Sequence, residues 1–231
     1  MYARYPAKLG RAVGDAAELT RRRWQEDGWF TEEPAMTVSL MTRIDERLNG
    51  QQFGSITVET RVVTSLGPGS LERATGADFA NILHVDFGSF ELKKAFLAQA
   101  KKVASGANLV AHLRGDRNLL GQCEKMLDIT PAAFVFTYSQ DRFSVFPALD
   151  VYEMLRSDTL KDEVRLYRKG IGAFYAEFFR TFIGDHHLAE FARDEKALRE
   201  FAQRYGVDKL LYIGMYPVAR AAWREHRPRA G

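Results

Sequence analysis

The spacing of apolar residues along the chain changes from a helical to a strand pattern in the middle of the sequence. This change restricts the fold more than any other feature. Residues 9–26 place apolar residues three and four positions apart, and a second helix is predicted from Thr31 to Leu48. Alternating, β-branched segments then predict strands over residues 55–65, 79–87, 95–101, 133–139 and 143–146, with a mostly helical stretch over 107–128. Strands grouped between helices predict an α/β (α+β) fold with a mixed central sheet flanked by helices.

A boundary is predicted at Pro147, where the strand pattern ends. Residues 1–147 would form the core with its N-terminal helices, and residues 148–231 would form a C-terminal helical extension. The helices of that extension are predicted over residues 148–157, 160–183, 187–204 and 207–225. No linker rich in Gly, Ser or Pro separates the two parts, so 231 residues fit one domain or a core with an appendage.

Composition and charge narrow the class of protein. A single cysteine, Cys123, excludes an internal disulfide and favours a reducing, cytoplasmic location. No apolar run is long enough to span a membrane, and the N-terminal segment lacks the apolar middle of a signal peptide. The net charge is only +3, but basic residues cluster at 21–23 and in the tail, where they are either plain solvated surface or contacts to phosphate. The tail cluster consists of Arg220, Arg224, Arg227 and Arg229, against Glu225.

The stretch "KKAFLAQAKK" (residues 93–102) places a neutral amide and an ammonium on one face of a strand, because Gln99 and Lys101 are two positions apart. A strand end exposed to water would explain this pair, and so would an active site. Asp78 opens the preceding strand in "TGADF". If the two strands form a hairpin, the three side chains converge at one edge of the sheet. Metal-dependent cleavage of a phosphodiester uses oxygen ligands for Mg²⁺ together with a cation near the attacked phosphate.

The segment that runs from "GADF" through a strand and a short turn to "FLAQAKK" and a helix resembles the PD-(D/E)xK nuclease superfamily. The similarity is closest to its Mrr-like and restriction-endonuclease-like branch, in which QxK replaces ExK. In that family a helix precedes three strands, the Asp lies on the second strand, the (E/Q)xK on the third, and a helix and another strand follow. Here "QCEKML" lies in the following helix and "AAFVFTYS" forms the next strand. The resemblance covers about residues 30–147 and implies a restriction-endonuclease-like core.

The resemblance implies a role for each matching residue. Asp78 would bind Mg²⁺ or Mn²⁺, Gln99 would add an amide oxygen to the metal, and Lys101 would hold or activate the attacking water. Glu72, in the loop before Asp78, is a further candidate metal ligand and catalytic acid. The first core helix would add one glutamate, and the candidates are Glu32, Glu33 and Glu46. Of these, Glu33 is the predicted catalytic residue. The chain departs from the commonest pattern because Ala77 replaces Pro and Gln99 replaces an acid.

Two functions remain open from the sequence. The first is a metal-dependent DNA endonuclease, which the resemblance associates with restriction or anti-phage defence and which would act with a partner protein or as a homodimer. The second is a catalytically silent protein of the same fold that binds nucleic acid or a partner through its basic tail. A full set of carboxylates around Asp78 favours the enzyme. A salt-bridged Lys101 with no second acid within metal reach favours the silent protein.

Other notable residues are interpreted as structural. Asp185 is predicted to cap a helix in front of two surface histidines, His186 and His187, because neighbours on a helix point about 100° apart and make a poor ligand pair. His84 is interpreted as a satisfied histidine on its strand, and Cys123 as a buried, inert thiol. An aromatic stripe is interpreted as helix core, with a dimer interface as the alternative. The stripe consists of Phe174, Tyr175, Phe178, Phe179 and Phe182.

Overall fold

The computed structural model describes residues 5–27, 32–64, 75–157, 166–190 and 194–218. The helices in these residues are α1 (Tyr5–Asp27), α2 (Glu33–Leu48), α3 (Leu109–Gly115), α4 (Leu119–Ile129), α5 (Ala148–Arg156), α6 (Ile171–Phe179), α7 (His186–Ala189) and α8 (Glu195–Arg204). The strands are β1 (Gln52–Phe53), β2 (Ile56–Thr64), β3 (Phe79–Asp86), β4 (Glu91–Lys102), β5 (Ala133–Tyr138), β6 (Phe143–Pro147), β7 (Lys169–Gly170) and β8 (Lys209–Pro217). None of these helices is both long enough and apolar enough to cross a bilayer.

All eight strands form one mixed sheet with the order β1-β2-β8-β3-β4-β5-β6-β7. Helices α1, α2 and α6 pack on one face of the sheet, and α4, α5, α7 and α8 pack on the other. Successive strand residues enter opposite cores, as Phe96 and Leu97 of β4 do. The predicted mixed α/β class, with a central sheet flanked by helices, is therefore confirmed, and the layers are helix, sheet and helix.

The hairpin that the sequence predicts is formed by β3 and β4. The two strands pair antiparallel from Phe79 opposite Ala98 to Asp86 opposite Glu91. β4 starts at Glu91, earlier than the predicted residue 95, and it continues beyond the first residue of β3. β5 then pairs parallel to β4, and α3 and α4 make the crossover between them. This register leaves the last residues of β4 unpaired on the side that faces β3.

The helix predicted over residues 207–225 is wrong in the part of it that the structure describes; residues 219–225 and the rest of the basic tail lie outside the described residues. Lys209–Pro217 forms β8, which pairs antiparallel to β2 and parallel to β3 and so lies inside the sheet. The run "LLYIGMY" is apolar at nearly every position, and such a run fits a buried strand as well as a buried helix. A strand buried on both faces explains the pattern, since every residue from Lys209 to Tyr216 is buried. The segment after Pro147 thus contributes β7 and β8 to the same sheet as the predicted core.

The other elements after Pro147 are shorter than predicted. The stretch 160–183 contains the short strand β7 and helix α6, and residues 158–165 lie outside the described residues. The stretch 187–204 is divided into α7 and α8. The aromatic stripe packs as helix core at four of its five positions, whereas Phe182 lies after the end of α6 and is 79% exposed.

Helices α1 and α6 cross at glycines, and this crossing yields a prediction about stability. A Cβ atom on Gly10 would lie 2.6 Å from both Ala176 Cβ and the carbonyl oxygen of Gly172. We expect Gly10→Ala to lower the free energy of unfolding by about 1–3 kcal/mol, because the two backbones must separate. Gly121→Ala, in α4, meets no atom within 4 Å. It should raise the free energy of unfolding by up to about 1 kcal/mol through helix propensity. Urea unfolding of both variants checks the prediction, and equal effects would contradict it.

Candidate active site

The carboxylate of Asp78 lies at the start of β3 and faces β4. Its Oδ2 atom accepts a hydrogen bond from Gln99 Nε2 at 2.5 Å and another from the backbone N–H of Ala100 at 2.7 Å. The N–H of Asp78 donates to the carbonyl of Ala98 at 2.9 Å. Asp78 is thus fixed against β4 by its backbone and its side chain, and the fold brings it into direct contact with Gln99 as the sequence predicts.

Glu33 supplies a second carboxylate at the same edge. Because β4 continues past the start of β3, the N–H groups of Ala100 and Lys102 find no acceptor on that strand. Asp78 accepts from the first, and Glu33 Oε1 accepts from Lys102 N at 2.8 Å. Alternate amides on one side of a strand are about 7 Å apart, so the two carboxylates are neighbours along this edge. The fold therefore places two acids side by side where the hairpin ends.

Of the three candidate glutamates in the first core helix, Glu33 is the one that the fold brings to this edge. It is the first residue of α2 and is followed by Pro34, which suits a helix start. Glu32 precedes the helix and is exposed. Glu46, near the other end of α2, is also exposed and pairs with Arg43 at 2.8 Å. Glu72 lies outside the described residues.

The amide of Gln99 is buried, with 2% of its surface exposed. Its Nε2 donates to Asp78 and, at 3.2 Å, to the carbonyl of Ala100, while Oε1 is buried and has no hydrogen-bond partner. A buried acceptor without a donor costs about 1–3 kcal/mol. An amide oxygen beside a carboxylate is a ligand that a hard divalent cation accepts. The unpartnered oxygen therefore indicates a place where a cation would compensate the cost of burial.

Lys101 lies two residues along the same strand face and is 8% exposed, so the pair is not a strand end in water. Its Nζ forms an ion pair with Asp116 Oδ2 at 2.8 Å. Asp116 lies between α3 and α4, where the N–H groups of Asn118 and Leu119 also donate to it. Burial raises the pKa of Asp116, but the hydrogen bonds from Lys101 and these amides more than offset it and lower the pKa below its usual value. Asp116 therefore remains a carboxylate at hydrogen-bond distance from Lys101 Nζ.

Tyr138 places a buried phenol near the end of β4 where Asp78 and Glu33 bind, which we call the acidic edge. Tyr138, in β5, is fully buried, and its hydroxyl is 3.2 Å from Thr37 Oγ1. Burial raises the pKa of Tyr138, the hydrogen bond with Thr37 lowers it, and the charges of Asp78 and Glu33 raise it again. Both carboxylates are thus close enough to act on the same phenol, which stays protonated at neutral pH.

The oxygen donors of this edge are of the kind that Mg²⁺ or Mn²⁺ binds. Asp78 and Glu33 offer carboxylate oxygens, and Gln99 offers an unpartnered amide oxygen. Mg²⁺ is commonly held by one or two carboxylates together with substrate phosphates, and it keeps several waters. Across the described ranges, no group of three or more His, Cys, Asp or Glu residues is placed to hold a metal. A cation held here would need water or substrate oxygens to complete its coordination.

The other candidate residues have structural partners elsewhere. His84 contacts Tyr212 Oη at 2.8 Å and Glu91 Oε1 at 3.1 Å, six residues along β3 from Asp78. Burial, followed by the charge of Lys93, lowers the pKa of His84 despite Glu91.

Asp185 caps α7 by accepting from His187 N, and both histidines of that helix are exposed, as predicted. Burial raises the pKa of the Cys123 thiol to about 12, which agrees with an inert thiol.

Sequence reasoning missed Asp116 and Tyr138. Asp116 follows Gly115 in a polar loop, and nothing local distinguishes it from a residue that starts a helix. The signal for it is indirect: a buried lysine needs a partner, and the loop after β4 is the nearest source of an acid. Tyr138 was predicted within a strand, and its contact with Thr37 depends on how α2 packs on the sheet.

The structure is a mixed α/β protein in which Asp78 and Glu33 bind the amides at the end of β4, beside Gln99. No family model matches the chain, and no curated protein or solved structure matches it.

Proposed function

We propose that the chain is a Mg²⁺- or Mn²⁺-dependent deoxyribonuclease with a restriction-endonuclease-like core. The observation that carries the proposal is that Asp78 and Glu33 bind alternate backbone amides at the end of β4, and that Asp78 also contacts Gln99. Lys101 lies two residues from Gln99 on the same strand face. Two neighbouring carboxylates with an unpartnered amide oxygen suit a divalent cation, and a buried lysine suits the negative charge of a phosphodiester.

Each side chain has a distinct task in this proposal. Asp78 and Glu33 provide the negative charge that holds the cation, and their hydrogen bonds to the amides of β4 fix where it is held. A bound Mg²⁺ would polarise the phosphoryl oxygen and favour hydroxide formation from its water. Lys101 would position the attacking water or offset charge on the phosphate, after its ammonium turns from Asp116 towards the substrate.

The ion pair of Lys101 favours a second candidate function. Lys101 is bound to Asp116 at 2.8 Å, and Glu33 is bound to a backbone amide. If these contacts persist when DNA binds, the protein is catalytically silent and holds nucleic acid or a partner. Association with a defence system follows from the family resemblance alone, and a partner protein and a homodimer remain expectations from the sequence. They belong to either function.

Plasmid cutting tests the proposal. The purified protein is incubated with supercoiled plasmid and Mg²⁺, Mn²⁺ or EDTA, beside Asp78→Ala. We expect nicked or linear plasmid with either metal, no cutting in EDTA, and none with Asp78→Ala. Cutting that survives Asp78→Ala comes from another site or a contaminant, and no cutting with either metal favours the silent protein.

A further inference from the structure

A groove lies along the outer side of α2 and begins beside the candidate active site. It has a volume of about 530 Å³, which is within the range of ligand-binding clefts. Pro34, directly after Glu33, lies at one end, and Glu46 lies near the other end of the helix. Its lining residues are Pro34, Ala35, Val38, Ser39, Thr42, Arg43, Glu46 and Lys209.

Lys209 is the unusual member of this groove. It is the first residue of β8 and is only 9% exposed. Its ammonium has no ion pair or hydrogen bond to any residue that the structure describes. Arg43, by contrast, is already neutralised by Glu46 at 2.8 Å. A buried cation without a counter-charge is costly, so its presence calls for an anion that comes from outside the described chain.

The position of Lys209 connects the groove to the acidic edge. β8 runs parallel to β3, and Lys209 pairs with Phe79, the residue directly after Asp78. Neighbouring strands are about 4.8 Å apart, so the backbone of Lys209 lies one strand away from Asp78. The side chain lies on the α2 side of the sheet, because it lines the same groove as Val38.

We propose that this groove binds the sugar–phosphate backbone of the DNA strand that enters the active site, with Lys209 as its phosphate contact. The inference rests on the proposed function, because it names the path of that enzyme's substrate. A phosphate supplies the anion that Lys209 lacks among the described residues, and the hydroxyls of Ser39 and Thr42 can donate to phosphate oxygens. Val38, which is 36% exposed, offers an apolar contact to the sugar.

Binding measured without metal tests the groove separately from cutting. A short fluorescein-labelled DNA duplex is titrated with protein in EDTA at several KCl concentrations, and fluorescence anisotropy gives the Kd. We expect Lys209→Met to raise the Kd about tenfold and to lower the slope of log Kobs against log salt by about 1, as for one lost phosphate contact. Lys209→Arg should retain most of the affinity. Ser39→Glu, which adds a negative charge to the half-buried groove side of α2, should also weaken binding.

Lys196→Met is the matched control, because it removes the same charge from an exposed lysine on α8. Its Kd should equal that of the wild type. Equal Kd values for Lys209→Met and wild type, equal losses for both lysine variants, or no binding by the wild type would each overturn the proposal. Binding that depends on Lys209 in a protein that does not cut plasmid would support the groove and reject the nuclease. Far-UV circular dichroism confirms that each variant is folded.

Discussion

Lys101→Met should lower the rate of metal-dependent plasmid cutting by about a hundred- to a thousandfold. The lysine is the cation on the strand face shared by Gln99, and loss of one charged donor at a reacting phosphate has an effect of this size. The rate is measured as single-turnover nicking at saturating Mn²⁺, so that a change in metal affinity does not contribute. A loss smaller than tenfold would place Lys101 outside the chemistry.

The same substitution affects folding, and this effect must be separated from the catalytic one. Without Lys101, Asp116 is a partly buried carboxylate with no ion partner, which lowers the free energy of unfolding by about 1–3 kcal/mol. Lys101→Met/Asp116→Asn removes both charges and should recover most of that stability. Because the pKa of Asp116 is lowered in the folded protein, the pair stabilises fully above the unfolded pKa and is lost as the pH falls through the folded value. Stability is therefore compared at neutral pH.

The double variant distinguishes a catalytic role of Lys101 from a structural one. We expect it to be stable and still inactive, because the charge near the phosphate is absent. Recovery of cutting together with stability would show that the single variant fails only because it is poorly folded. In that case Lys101 is a structural residue, and the ion pair with Asp116 serves the fold.

The hairpin that carries the site could be predicted because its pattern is local. Each strand is a short run bounded by turn residues, with Gly88 and Ser89 between the two. Because side chains alternate along any strand, Gln99 and Lys101 must lie on one face. Asp78 lies at the start of the partner strand, and a hairpin register then brings it opposite Gln99. These positions follow from the period of the sequence and the length of the turn.

The remaining parts depend on packing that no local pattern encodes. Glu33 reaches the edge because α2 packs across the sheet and β4 extends beyond β3. β8 enters the sheet between β2 and β3, although more than a hundred residues separate it from β3 along the chain. Its run of apolar residues fits a helix or a strand when read alone. The role proposed for Lys209 depends on that insertion, because only a strand beside β3 places this lysine next to the acidic edge.

Gln99→Glu should make the stability of the protein depend strongly on divalent metal. The amide Nε2 donates to Asp78 at 2.5 Å and to the carbonyl of Ala100 at 3.2 Å, and a carboxylate can donate to neither. Without metal, two adjacent carboxylates should lower the free energy of unfolding by about 1–3 kcal/mol at pH 8. Repulsion raises the pKa of the pair, so the loss should shrink as the pH falls and one carboxyl becomes protonated.

Mn²⁺ should reverse the loss, because the variant gives the cation another charged ligand beside Asp78 and Glu33. A ligand that binds only the folded state stabilises it in proportion to the logarithm of its concentration over Kd. The increase in Tm on adding Mn²⁺ should therefore be larger for Gln99→Glu than for the wild type, and smaller for Gln99→Met, which has similar volume and no ligand atom. If Mn²⁺ shifts the Tm of all three proteins equally, Gln99 does not face a metal. The edge would then be an acid–amide cluster that serves only the fold, and the silent protein would be the better description.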